Sequence, residues 1–480
     1  MTAFLLLSIS ALFFSLPLYY PDLYFLSWFA LFPFLIVQFK AIDQPLNRIF
    51  IQGTVWGFLL ACFSVNFLYY PLQIYTNFKL LVLLLILMLL FILLTIVYGL
   101  FFLFYYFLTF RILKLKEQFN PYLFAVSWVI FEFIRYHLFF FFPFLNPAYT
   151  QASCKFMVQL AGLGGIWSLT LAVILINALF FKFYLKQQKR DLLAILLVFL
   201  LIFSYGSFNL EKYKPAEFAI NQTSLKDFRP KKLIKVGLIT SRIRQSDKWR
   251  ADQINNNFNL ITMAAEKLNS ADLIITPETA LTIDLNKDNY FQQKFLTLVK
   301  ENFAFPLQVG SLASQNNLTG NQYFNSIFLI DSAGQFLDRY NKVKLVYGGE
   351  YFPLERILNK VFSEFNFNSL AEGDEIKIFN YNNLQWKTVI CSEILYPDFV
   401  KKQAAQVQFI VNETNEAWFA NSRLLKNIMW QASVLRAVEN RKIVIKTGNL
   451  AYSGIIYPDG SYQKVSDINN YHLLKFWVKK

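Results

Sequence analysis

Histidine is nearly missing from this chain. There are two in 480 residues, His137 inside an apolar segment and His472 near the C-terminus. A cysteine–histidine pair of the protease kind has no good source here. A nucleophile in this chain needs another base, and carboxylates are the natural candidates. Cysteine is scarce too: Cys62, Cys154 and Cys391 are the only three. No Cys/His cluster has metal-ligand spacing, and no glycine-rich loop has the pattern of a nucleotide cradle. No dense Lys/Arg run interleaved with aromatics occurs, which argues against nucleic acid. Charge is sparse in the first half: residues 1–210 hold 12 Lys+Arg and 5 Asp+Glu, against 46 and 31 for the whole chain.

What fills that half is Leu, Phe, Ile and Tyr. Seven runs approach the ~20 apolar residues that a bilayer core requires. They lie near 3–19, 23–40, 51–71, 79–110, 121–141, 158–182 and 191–208. The first lacks the basic start and small-residue cleavage site of a secretory signal, so it counts as a span. Positive charge collects in alternate loops: Lys40 and Arg48; Arg111, Lys114 and Lys116; Lys182, Lys186, Lys189 and Arg190. The bias of basic loops toward the cytoplasm places the N-terminus inside. An odd number of spans then delivers everything after residue 208 to the opposite face. The formal charge of +15 is shared by both halves. In the second half it serves solubility or attraction to anionic headgroups.

Ionisable residues inside the spans are few. Glu132 and Arg135 stand three apart, a spacing that allows a pair on one helix face. The Phe-rich run 139–144 reads as lipid-facing or as a re-entrant edge.

From residue 209 the composition becomes that of an ordinary globular chain. Mixed Lys, Pro, Asn, Gln and Ser over 209–231 read as a linker. Strand-like runs at 233–239, 272–275, 306–311, 324–331, 389–391, 409–411, 442–447 and 453–457 alternate with helical stretches at 251–269, 291–302, 396–405 and 422–440. This alternation predicts an α/β layered domain over 232–470. Residues 471–480 read as a short basic tail, too short to span and suited to an interface.

Cys391 is the sole thiol of that domain. It ends an apolar run, Trp386-Lys387-Thr388-Val389-Ile390-Cys391, and is followed by Ser392-Glu393. A buried apolar cysteine or a bridge to Cys154 would account for the residue alone. Two other segments supply partners: Ile275-Thr276-Pro277-Glu278-Thr279-Ala280 and Tyr340-Asn341-Lys342-Val343-Lys344. A carboxylate can take the thiol proton, and an ammonium can lower the thiol pKa and hold an oxyanion. Taken singly, Glu278 reads as a turn carboxylate and Lys342 as a solvated lysine. Glu350 and Glu393 read as ion-pair residues, and Trp249 and Trp418 as core.

The ordered set resembles the Glu–Lys–Cys motifs of the nitrilase superfamily. Its carriers are Pro277-Glu278-Thr279-Ala280, Lys342 with Gly349-Glu350-Tyr351-Phe352-Pro353-Leu354-Glu355, and Ile390-Cys391-Ser392-Glu393. Joined to a polytopic first half, the Gly-Glu-Tyr-x-Pro-Leu-Glu phrase resembles the apolipoprotein N-acyltransferase family. Gln245, Lys248-Trp249, Tyr323-Phe324-Asn325-Ser326, Asn415-Glu416-Ala417-Trp418-Phe419 and Arg436-Ala437-Val438-Glu439-Asn440-Arg441 match as well. So do Trp128, Glu132, Arg135, Phe142-Pro143 and Tyr149-Thr150-Gln151 in the first half.

The resemblance implies an α-helical transmembrane bundle over 1–208 and an α-β-β-α sandwich. It implies Glu278 as general base, Lys342 as oxyanion stabiliser and Cys391 as nucleophile. Glu350, Glu393, Trp249, Ser392, Trp418 and Asn415 would support the site, with no metal and no cofactor. The implied donor is a phospholipid, the acceptor a diacylglyceryl-lipoprotein, and the place the bacterial inner membrane with the catalytic domain on its periplasmic face. Two alternatives stay open: a membrane-anchored amidase, and a lipid- or lipoprotein-binding pseudoenzyme. Three departures from the family pattern stand out. Ser392 replaces a frequent Tyr, Thr240-Ser241-Arg242 replaces a Gln-Gly-Asn run, and the family's usual last span is not present.

Overall fold

The apolar runs of the first half fold as helices. In the computed structural model, the described residues are 2–40, 45–75, 79–113, 119–138, 143–215, 231–287, 289–317, 320–353, 355, 359–360, 368–466 and 469–479. They divide into two compact units, 1–213 with 422–439, and 214–421 with 440–480. The expected linker falls largely on 216–230, and part of the Phe-rich run on 139–142, both outside the described residues.

In the first unit, six helical stretches among the described residues are long and apolar enough to cross a bilayer: Thr2–Tyr19, Pro21–Phe39, Leu46–Ser64, Leu80–Ile112, Ile166–Lys186 and Lys189–Lys212. The expected fifth span is the helix Pro121–Leu138. It falls short of that apolar threshold, and it carries Glu132 and Arg135. These two form the anticipated pair, with Arg135 donating to Glu132 at 2.6 Å. The helix Leu46–Ser64 lies so close to Leu80–Tyr106 that a Cβ on Gly99 would run into Thr54 and the Phe50 carbonyl. Without a hydrophobic drive between helices in lipid, such small-residue contacts supply the packing.

The long helix Arg423–Asn440 sits mostly in this first unit. Asn427 donates to the carbonyls of Leu18 and Tyr19 at 3.0 and 2.8 Å, and Gln431 donates to Pro17 at 3.3 Å. Those are end carbonyls of the helix Thr2–Tyr19, which lack partners of their own. The sequence places this helix within the 232–470 stretch, yet it packs with the apolar half.

The second unit is built on two six-stranded sheets. The first has the order β12-β1-β2-β3-β4-β5 and the second β11-β10-β9-β8-β7-β6. In chain order the strands are β1 Lys231–Ile239, β2 Leu273–Ile275, β3 Leu307–Asn317, β4 Gly320–Ile330, β5 Phe336–Asn341, β6 Ile378–Tyr381, β7 Leu384–Ile390, β8 Phe409–Asn415, β9 Ile443–Asn449, β10 Gly454–Ile456, β11 Tyr462–Lys464 and β12 Tyr471–Lys479. Each sheet has three central parallel strands, β1-β2-β3 and β7-β8-β9, flanked by antiparallel ones.

Alternation along the strands decides what meets between the sheets. Ile234, Val236 and Leu238 of β1, Trp386 and Ile390 of β7, and Phe409 and Val411 of β8 share one buried core. The other face of the first sheet is covered by the amphipathic helices Gln253–Lys267 and Tyr290–Asn302, which bury Phe258, Ile261, Phe295 and Val299. On β7, Lys387 points away from the shared core. Its ammonium donates to the carbonyls of Phe399, Val400 and Lys402 and so closes the short helix Pro397–Lys401.

The expected basic tail is corrected. Residues 471–479 form β12, which pairs with β1 over its whole length, from Lys231 opposite Lys479 to Ile239 opposite Tyr471. Leu474, Phe476 and Val478 enter the core, and this burial is what holds the segment in the sheet.

Candidate active site

Three expected residues lie just beyond strand ends. Glu278 follows β2, Lys342 follows β5 and Cys391 follows β7. The C-terminal ends of strands are where open α/β sheets gather ligands. Cys391 opens a tight turn, Cys391–Leu395, with a backbone φ of +50°. A non-glycine residue in the left-handed region is strained and persists only where its surroundings hold it. Here β7 lies parallel to β8, and the next β8 residue, Thr414, donates its hydroxyl to the Cys391 sulfur at 3.3 Å. Asn412 donates to the Cys391 carbonyl at 3.3 Å.

Glu278 is buried, and both its oxygens are held. One accepts from the Asn325 amide at 2.7 Å and from the Lys342 ammonium at 3.4 Å; the other accepts from the Asn415 backbone N–H at 2.6 Å. Lys342 is also buried, and it pairs with Glu350 at 2.8 Å. Asn325 donates to Glu350 as well, at 2.7 Å. Carboxylates only accept, so both contacts fix the Asn325 amide with its nitrogen toward the pair. Burial draws the Lys342 pKa down, but Glu350 and Glu278 more than offset this, and it rests above the ordinary lysine value. The ammonium is therefore permanent.

The thiol is the reverse case. Burial, with the Glu278 charge adding to it, pushes Cys391 up to about 12 against the opposing pull of Lys342. At neutral pH it is a thiol beside a carboxylate. Cys391 is unbridged, as are Cys62 and Cys154.

Glu393 is fully buried and holds two of these segments together. It accepts from Tyr340 O–H at 2.8 Å, from the backbone N–H groups of Val343 and Lys344 at 2.8 and 2.9 Å, and from that of Ile390 at 2.7 Å. The Lys342 loop and the Cys391 turn thus share one carboxylate.

The other expected residues divide. Asn415 belongs to the cluster through its backbone N–H. Ser392 is half-buried and directly follows the thiol; Trp418 is half-buried on the turn Glu416–Phe419. Trp249 is 47% exposed. Arg242 of the unusual Thr240-Ser241-Arg242 run points to solvent, while Ser241 links the end of β1 to Asn449 at 3.0 Å. Asn325, Thr414, Tyr340 and Lys248 were not singled out as site residues. Asn325, Tyr340 and Lys248 lie within the motif stretches of the sequence, but a neutral amide, a strand-end tyrosine and a lysine beside a tryptophan carry no signal of burial. Among the described residues no cluster of metal-ligating side chains occurs.

Gly310 on β3 gives the Glu278 turn its room. A Cβ there would lie 2.6 Å from both the Pro277 carbonyl and the Thr279 N–H. Backbone on both sides cannot give way. Gly310→Ala is expected to slow any reaction at Cys391 at least about tenfold and to lower the melting temperature of the second unit by several degrees, as overpacking of about 1–3 kcal/mol would. Differential scanning calorimetry and a Cys391 labelling assay check both.

Both halves of the chain resemble known protein domains. Residues 10–179 match the apolipoprotein N-acyltransferase N-terminal domain, and residues 235–467 match the carbon-nitrogen hydrolase domain. The apolipoprotein N-acyltransferase of Rickettsia bellii (strain RML369-C) is 27% identical over 369 residues, 76% of this chain and 70% of that protein. That of Aquifex aeolicus (strain VF5) is 27% identical over 375 residues, 77% of each.

The chain belongs to the apolipoprotein N-acyltransferase family.

Like other apolipoprotein N-acyltransferases it joins an apolar N-terminal half to a carbon-nitrogen hydrolase domain, and it is a membrane protein and an enzyme of the acyltransferase and carbon-nitrogen hydrolase class. Among solved structures, the NitN amidase from Neterenkonia sp. AN1 aligns with 51% of this chain and 92% of its own, at 18% identity and a TM-score of 0.35.

Proposed function

We propose that this protein transfers an acyl chain from a phospholipid to the α-amine of a diacylglyceryl-cysteine at a lipoprotein N-terminus. The observation that carries the mechanism is the buried Glu278–Lys342–Glu350 charge cluster within electrostatic reach of a thiol at a strand end. Cys391 attacks the donor ester. A carbon–sulfur bond forms while the thiol proton passes to Glu278. The Lys342 ammonium and the Ser392 backbone N–H hold the oxyanion. The ester carbon–oxygen bond then breaks, and Glu278 returns the proton to the departing lysophospholipid. In the second half the acceptor amine attacks the thioester, Glu278 takes its proton, and as the carbon–sulfur bond breaks Glu278 passes that proton to the departing sulfur, restoring both thiol and carboxylate.

Glu350 and Asn325 orient Lys342 and Glu278, and Glu393 sets the distance between the lysine loop and the thiol. The catalytic domain of residues 232–479 faces the periplasm, and the first 208 residues hold it in the inner membrane. The charge distribution of the loops supports that orientation.

The test uses the purified full chain in phospholipid vesicles labelled in the sn-1 chain. Label is expected on the Cys391 peptide, and it should move to a diacylated lipopeptide amine on addition. Release of free fatty acid without transfer would instead indicate an amidase-type hydrolase. No label on the wild-type peptide would leave only a binding protein.

A further inference from the structure

The acyl-transfer reading uses one lysine, but a second is buried beside it. Lys248 ends the short helix Gln245–Lys248 and is 2% exposed. Its ammonium donates to the Glu278 backbone carbonyl at 3.0 Å and to the Thr279 hydroxyl at 2.6 Å. With the Asn415 amide turned to satisfy its neighbours, Lys248 also reaches the Asn415 side-chain oxygen at 3.1 Å. Asn415 is the residue whose backbone N–H grips the Glu278 carboxylate. Thr279 has φ +45°, so the turn that carries Glu278 is strained and needs holding.

Charge count points the same way. Glu278 and Glu350 share the single Lys342 ammonium. Two carboxylates against one buried cation leave a negative charge uncompensated, and such charges are costly in the interior. Lys248 supplies a second buried cation, held at the Glu278 backbone carbonyl.

Resting on the acyl-transfer reading, we infer that Lys248 is a positioning residue for the general base: it clamps the Glu278–Thr279 turn, orients Asn415, and with its charge keeps Glu278 an acceptor for the Cys391 proton. Burial lowers the Lys248 pKa to about 8, despite the opposing pull of Glu278 and Cys391. Those two groups face it directly, with Lys342 and Glu350 behind Glu278, and Asp247 on its own helix. Below about pH 8 Lys248 is charged and the clamp is complete. Above that it loses its proton, and the charge support lapses. A thiol at about 12 cannot produce a fall there.

The test is the single-turnover rate of Cys391 acylation from pH 6 to 10. The full chain is placed in phosphatidylethanolamine–phosphatidylglycerol vesicles carrying a labelled sn-1 chain. The wild type is expected to slow above about pH 8. Lys248→Met is expected to be roughly 100-fold slower at pH 7, the size of loss that misplacing a catalytic group gives, and flat through pH 8. Lys248→Arg should recover much of the rate and keep it above pH 8. Thr279→Ala, which leaves the cation in place, should be about tenfold slower with the wild-type fall above pH 8. It carries the test if Lys248→Met does not fold. Wild-type labelling with Lys248→Met within threefold of it at every pH, or an undiminished Thr279→Ala, overturns the role of Lys248 alone. No label on the wild type removes the acyl-enzyme reading and this role together.

Discussion

Glu278→Gln will leave Cys391 unacylated, with acylation at least about 10³–10⁴-fold slower than wild type, while circular dichroism keeps its wild-type form and the melting transition falls by only a few degrees. The reason is the state of the thiol. With burial and the Glu278 charge pushing the Cys391 thiol well up, thiolate is scarce at pH 7. Spontaneous ionisation cannot supply the nucleophile, so the proton must leave during attack, and Glu278 is the buried carboxylate in reach. Glutamine keeps the shape, but its one oxygen serves either Asn325 and Lys342 or the Asn415 N–H, its NH₂ faces the other, and it cannot take a proton. A second effect of opposite sign separates this account from mere damage. The Glu278 charge raises the thiol pKa, second only to burial. Removing it leaves Lys342 less opposed, so the Cys391 thiol of the variant should titrate below the wild-type value by thiolate absorbance near 240 nm. Slower chemistry with an easier ionisation is the expected pair. An unchanged acylation rate would sink the base assignment. Cys391→Ala serves as the zero point, since it removes the acyl-accepting atom.

Glu393→Ala will cost most in stability. Four donors converge on that carboxylate: one phenol and three backbone N–H groups. Truncation leaves all four in a site closed to water. Each unsatisfied group costs about 1–3 kcal/mol. The sum approaches the whole stability of a domain, about 5–15 kcal/mol. The second unit is expected to lose well over 10 °C in melting temperature or to fail to accumulate folded. Glu393→Gln keeps one accepting oxygen but turns an NH₂ toward donors, so an intermediate loss is expected. A Glu393→Ala protein that melts within 3 °C of wild type would show that the carboxylate does not join the two segments.

Much of this site was legible because its parts end strands. Pro277-Glu278 and Ile390-Cys391 each follow a short apolar run, and such a run in an α/β chain delivers the next residue to a sheet rim. Glu350 and Glu393 were visible only through the resemblance. Nothing in a single carboxylate's neighbours along the chain announces four donors arriving from residues 340–344 and 390. Lys248 was hidden for the same reason: its partners lie about 30 residues away and are backbone and hydroxyl oxygens. β5 and β6 were not foreseen, since Phe336–Asn341 and Ile378–Tyr381 are short, with half-exposed patterns. The segment 471–480 had its period-2 signal in view, Leu474, Phe476 and Val478, but its lysines and the expectation of a further span diverted the reading. The helix 422–440 was found, but not its company. Asn427 and Gln431 look like solvated amides until the carbonyls of residues 17–19 appear beside them.

The pairing of β12 with β1 has an outcome for solubility. Among the described residues β12 shields the flank of β1 and is itself the border of the sheet, with Lys475 exposed along it. A hydrated lysine on a border strand discourages a second molecule from adding its own backbone there. A chain shortened before Tyr471 would offer the bare flank of β1 to its neighbours, and is expected to aggregate more readily than the full chain.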